Sequence, residues 1–107
     1  MELKQYSIVL VNLDPTIDSE IKKTRPCVIV SPNEINKFLN TIVVAPMTTN
    51  LKRYPTRIDV KHNDKKGMIA IDQIRTIDKS RIIKMFDRLS KSEIQKCKDI
   101  IRETFVE

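Results

Sequence analysis

The chain has one glycine, one histidine and no tryptophan, and each scarcity closes a class of chemistry. A single glycine cannot build a glycine-rich phosphate loop, which removes P-loop and dinucleotide-binding sites. His62 is the only histidine, and the two cysteines, Cys27 and Cys97, lie far apart in sequence. With no H-E-x-x-H, no C-x-x-C and no clustered acidic set, a zinc or two-metal site has few candidate ligands. No G-x-S-x-G places a serine for a Ser–His–Asp triad, and Cys27 has no local histidine to activate it. Neither a metal nor another cofactor is expected. The opening MELKQY turns polar at once, and no apolar run approaches the ~20 residues that span a bilayer, so no signal peptide and no membrane are expected. Cys27 falls in an apolar run and Cys97 on the inner face of a helix, so both read as reduced core thiols, which points to the cytoplasm.

What is present is a soluble globular composition, 40% apolar and 32% charged, over 107 residues. That length suits one domain, residues 1–107, with one compact core. Twenty Lys and Arg face 14 Asp and Glu, a net charge of +6, which favours polyanionic partners, nucleic acid first.

Short runs rich in β-branched and aliphatic residues fall at 6–13 (YSIVLVNL), 26–31 (PCVIVS) and 41–46 (TIVVAP). Each is closed by a turn-forming segment, as strands are. Residues 56–60 (TRIDV) alternate, and the polar run 61–66 then predicts a hairpin loop ending at Gly67, with His62 a solvated loop residue. Residues 68–71, 74–77 and 81–87 add further short extended pieces. Ser90 with Glu93 forms a capping-box pattern that opens one helix, whose apolar stripe is Ile94, Cys97, Ile101 and Phe105. About six strands followed by a helix, with none interleaved, predict a small, strongly bent antiparallel sheet or barrel.

The densest chemistry lies in residues 14–32, DPTIDSEIKKTRPCVIVSP, a loop held between two apolar strands. It carries Ser19, Glu20, Lys22, Lys23, Thr24 and Arg25. RNA supplies its own nucleophile, the 2′-hydroxyl, so a site needs a base, a clamp for the charged phosphorane and help for the leaving 5′-oxygen. Arg25 offers a planar fork of donors for phosphate oxygens. Glu20 can act as the base or orient Arg25, and the hydroxyl of Thr48 or Thr49 can complete the cradle. Lys22, Lys23, Lys52 and Arg53, with Arg57, can line a phosphate groove. Gln73 can read a base edge, while Asp72 and Arg75 suggest a structural ion pair. Asn33, Asn36 and Asn40 suit bases or turns, and Tyr54 is the one exposed-looking stacking residue.

The run DPT–SE–K–RPCVIVSPN, the segment APMTT at 45–49 and GMIAIDQIRTID at 67–78 resemble the PemK/MazF family of toxin endoribonucleases. The resemblance covers nearly the whole chain. It implies an SH3-like β-barrel with a C-terminal helix, a homodimer and metal-independent cleavage of single-stranded RNA at short motifs. The implied products are 2′,3′-cyclic phosphate and 5′-hydroxyl ends, and the implied partner is a cognate antitoxin protein. It further implies that Arg25 and Thr48 are the catalytic pair, with Glu20 the loop glutamate. From the residues themselves, the contacts to RNA are expected at Ser19, Lys22, Lys23, Thr24, Thr49, Lys52, Arg53 and Gln73. One departure is Asp18, which stands where the family's D-P-T-x-G-S-E loop has glycine. Two rivals remain. A gyrase-binding toxin of the same fold, CcdB-like, relies on a C-terminal tryptophan that this chain lacks. A plain nucleic-acid-binding module would bind RNA without cutting it, and usually shows more aromatic surface.

Overall fold

Valine and isoleucine dominate the first two apolar runs, and their branched side chains suit a pleated surface packed on both faces. The computed structural model describes residues 2–13 and 24–106. In it these runs become β1 (Ser7–Asn12) and β2 (Thr24–Ile29), paired antiparallel with Val9 opposite Cys27 and Val11 opposite Arg25. β3 (Thr41–Thr48) pairs with the other edge of β2, and β7 (Ile82–Arg88) with the other edge of β1. β4 (Arg57–His62) and β5 (Lys65–Ala70) form a hairpin whose second strand runs beside the end of β3. The order is β4-β5-β3-β2-β1-β7, and β6 (Arg75–Asp78) lies off this path, beside the first half of β3. Every pairing is antiparallel, as the absence of long crossover segments requires.

Alternation along the strands divides the apolar side chains between two faces. On one, Ile8, Val28, Ala45, Met47, Ile58 and Ile69 pack with Cys97 of the terminal helix α2 (Lys91–Phe105). On the other, Val9, Val11, Cys27, Ile29, Val44 and Ile77 form a second cluster. The helix begins where the sequence predicts. Ser90 Oγ accepts from Glu93 N at 3.2 Å while Ser90 N donates to Glu93 Oε1 at 2.9 Å, a cap that stabilises by about 1 kcal/mol. Glu93 Oε2 also accepts from Lys61 N at 3.2 Å, tying the helix start to β4. Cys97 is fully buried, with Ile94, Ile100 and Ile101 packed beside it. Phe105 is exposed, so the apolar stripe ends before the helix does.

Three other expectations need correction. A short helix, α1 (Asn33–Phe38), stands between β2 and β3. Its Asn36 is buried and donates to Leu3 O at 3.0 Å and Ser31 O at 2.9 Å, so it holds the fold rather than facing a base. The β4–β5 connection is shorter than the run 61–66. Only Asn63 and Asp64 turn, with φ of 51° and 60°, the left-handed pair of a two-residue hairpin. Gly67 therefore sits within β5. Asp72 pairs with Arg57, Nε to Oδ1 at 2.9 Å, and not with Arg75.

Candidate active site

The β2–β3 register runs Ile29 opposite Val44, Val28 opposite Ala45 and Cys27 opposite Pro46. Carried two residues past its last pair, this register would set Arg25 across from Thr48, on the face that Cys27 shares. Two residues that are 23 apart in sequence thus stand on neighbouring strand ends because the strands run in opposite directions. Both are half-buried. Thr48 Oγ1 accepts from Asn50 N at 3.1 Å, a local turn that fixes the hydroxyl and leaves its own proton available to donate. Behind Thr48 lies Gly67. A Cβ at that position would stand 3.0 Å from the Thr48 carbonyl oxygen, so the chain's only glycine is what lets β5 close on the end of β3.

Arg25 makes no ion pair among the described residues, and Arg75 joins it near the same thiol. Burial pushes the Cys27 thiol up to about 12, while the positive charges of Arg25 and Arg75 pull it the other way. The register explains this. Arg75 pairs with Val44, Val44 with Ile29, and Cys27 is two residues along from Ile29. Sequence reasoning missed Arg75 because the nearby Asp72 offered an obvious partner. Both guanidinium groups thus lie close enough to act on Cys27 electrostatically, and each is a donor fork of the kind that suits a phosphodiester. Among the described residues no three His, Cys, Asp or Glu side chains gather as a metal site.

The other expected residues fare unequally. Thr24 is exposed at the start of β2, opposite Asn12. Thr49, Lys52 and Arg53 lie exposed on the segment after β3. Lys52 stands 5.5 Å over the Tyr54 ring, with Arg57 at 5.1 Å, so Tyr54 is already stacked by cations. Arg53 is held by Asp59 at 3.0 Å. Gln73 is exposed on a 3-10 turn (Ile71–Gln73), with no hydrogen bond to Arg25 or Thr48. Ser19, Glu20, Lys22 and Lys23, like Asp18, lie outside the described residues.

His62 is not the solvated loop residue expected. Its ring meets Phe86 edge-on, centroids 4.7 Å apart at 72°, and Nε2 is buried with no hydrogen-bond partner among the described residues. The two rings belong to a cavity of about 340 Å³ that also borders Thr48 and Thr49. Pro26 lines it and Arg25 does not, because successive residues of a strand point to opposite faces.

Comparison with known proteins bears on this arrangement. Residues 4–105 match the PemK-like, MazF-like toxin of type II toxin–antitoxin systems. A protein of Staphylococcus epidermidis named endoribonuclease MazF is 32% identical over 98 residues, covering 86% of this chain and 82% of its own. Its namesake from Staphylococcus saprophyticus is 30% identical over 105 residues, covering 92% and 88%. Among solved structures, an endoribonuclease from a mycobacterial species in complex with its cognate antitoxin superposes with a TM-score of 0.79 at 19% identity. The match covers 94% of this chain and 91% of that one, a likeness that bears on the fold.

Proposed function

The chain belongs to the PemK-like, MazF-like toxins of type II toxin–antitoxin systems, and on that premise we propose how it acts. It is an endoribonuclease that cuts single-stranded RNA at short sequence motifs, in the cytoplasm and without a metal ion. The 2′-hydroxyl oxygen attacks the adjacent phosphorus and the bond to the 5′-oxygen breaks, leaving a 2′,3′-cyclic phosphate and a 5′-hydroxyl. Arg25 holds the negative charge that builds on the phosphorane. A guanidinium stays protonated near neutrality, so its part is a clamp first and a proton donor second. Thr48 donates its hydroxyl proton to the scissile phosphate and positions it. Glu20 is the base that takes the 2′ proton, or the group that orients Arg25. Thr24, Ser19, Lys22, Lys23, Thr49, Lys52, Arg53 and Gln73 are the proposed contacts to the rest of the RNA.

The observation that supports this reading is the β2–β3 register, which, continued two residues past Cys27 opposite Pro46, would set Arg25 opposite Thr48. The protein works as a homodimer and is silenced by a cognate antitoxin. One structural relative is an endoribonuclease bound to its cognate antitoxin. An acidic, flexible antitoxin segment would suit the +6 charge of this chain, by mimicking RNA. Among the described residues no helix is long and apolar enough to cross a membrane.

The test is incubation with a single-stranded RNA in EDTA beside an all-deoxy copy. The RNA is expected to be cut and the deoxy copy left whole. Cutting of the deoxy copy, or a strict need for metal, overturns the mechanism. Salt-sensitive binding with no cutting would instead favour the plain RNA-binding module.

A further inference from the structure

Apart from Thr48 and Thr49, the cavity is lined by residues that the cleavage reaction does not use. Leu10, Met47 and Val60 give it an apolar lining, and Phe86 and His62 supply aromatic surface. Lys65 and Lys66 stand at its edge, and Lys84 holds its ammonium 5.2 Å over the Phe86 ring. Against that apolar surface His62 Nε2 is buried with no partner among the described residues. A buried polar atom left unpaired is unusual enough to require an explanation.

We propose that this cavity takes the base of one nucleotide flanking the scissile phosphate and so sets part of the cutting motif, an inference that rests on the ribonuclease reading above. A volume of about 340 Å³ falls at the small end of ligand sites, roughly 300–1,000 Å³, which suits one planar ring system. The base's flat face meets the aromatic surface. Its edge carries donors and acceptors side by side, which the imidazole of His62, donor on one nitrogen and acceptor on the other, can match. An aliphatic side chain would fill the same space and leave the nitrogen orphaned. A carboxylate would be set against apolar walls. The backbone of the bound nucleotide stays outside, where Lys65 and Lys66 meet its phosphate.

The path is short. Arg25 and Pro26 are successive residues on opposite faces of β2, and Thr48 and Thr49 sit at the strand end between those faces. RNA cut on the Arg25 face therefore reaches the cavity by turning one nucleotide over that corner. Unpaired RNA can splay a base out in this way.

Two experiments test it. A randomised RNA library is cut by the wild type, by His62→Ala and by Phe86→Leu, and the new 5′ ends are sequenced. One position next to the cut is expected to lose its base preference by about tenfold in His62→Ala, with the other positions unchanged. Variants that cut with the wild-type preference at every position overturn the proposal while leaving the ribonuclease intact. Because His62 is the only histidine, its ring signals in a ¹³C-histidine-labelled wild type report on the cavity directly. Titration with the four nucleoside 5′-monophosphates is expected to shift them more than ribose 5-phosphate does, and for one base most. Equal shifts overturn the proposal, as does a shift given only by an acidic peptide, which would assign the cavity to a protein partner. Failure of the wild type to cut any RNA counts against the ribonuclease reading alone, since the titration still judges the cavity.

Discussion

The arginines around β3 fall into two sets that are used differently. On the side of β4 and the segment before it, each is matched. Arg57 is only 10% exposed, bonds Asp72 at 2.9 Å and lies against Tyr54. Asp72 also accepts from Thr56 Oγ1 at 2.9 Å. Arg53, far more exposed, meets Asp59. Arg25 on β2 and Arg75 on β6, which flank β3 on opposite edges, both act on the buried Cys27 thiol and make no ion pair among the described residues. Like charges brought near one another repel, so an anion beside Arg25 and Arg75 would relieve this face. The matched arginines hold the molecule together, whereas Arg25 is the one proposed to clamp the scissile phosphate.

The sharpest way to break that contrast is to remove one arginine from each set. Arg25→Ala is expected to lower kcat/KM for RNA about a thousandfold while moving stability by less than about 0.5 kcal/mol. Arg57→Ala, which strands Asp72 and uncovers Tyr54, should destabilise by about 1–3 kcal/mol. Its loss of activity should be no larger than the unfolding accounts for. Urea denaturation beside initial cleavage rates reads both numbers, and an unfolded Arg25→Ala would make that residue structural.

Gly67→Ala sharpens the comparison by disturbing the site without touching a charge. The added methyl meets the Thr48 carbonyl at 3.0 Å, so the end of β3 must shift by a few tenths of an ångström. Cleavage is expected to fall about tenfold, for a stability loss of about 1–2 kcal/mol. Wild-type rates in this variant would show that the placement of Thr48 is not critical.

The smallest effect concerns pH. The hydrogen bond from Arg57 holds the Asp72 carboxyl below its usual value, helped by Thr56 and opposed by partial burial. A carboxyl whose folded pKa is depressed contributes stability above its unfolded value near 4. It loses that contribution as pH falls through the folded value. Asp72→Asn should therefore be less stable than wild type at neutral pH, by about 1 kcal/mol or less because Asp72 is 37% exposed. The two curves should meet in acid. A gap that persists at pH 2 would mean that the asparagine disturbs packing instead.

The strands, the antiparallel sheet and the capped helix were legible in the sequence because alternation and capping are local. The motifs that single out Arg25 and Thr48 were legible too, but not the register that brings the two strand ends together, which is a property of pairing. Asn63 and Asp64 turn without glycine, so the polar run 61–66 predicts a longer loop that includes His62. α1 was hidden by its length and by Pro32 at its N-cap, which makes no side-chain hydrogen bond there. Asp72 lay three residues from one arginine and 15 from another, and the tertiary fold chose the distant one.

β3 has neighbours on both edges, β2 on one and β5 with β6 on the other. Its amides in the middle of the sheet should consequently be among the slowest in the chain to exchange with deuterium. Under the proposed mechanism, release of an antitoxin would then find the Thr48 hydroxyl where the sheet already holds it.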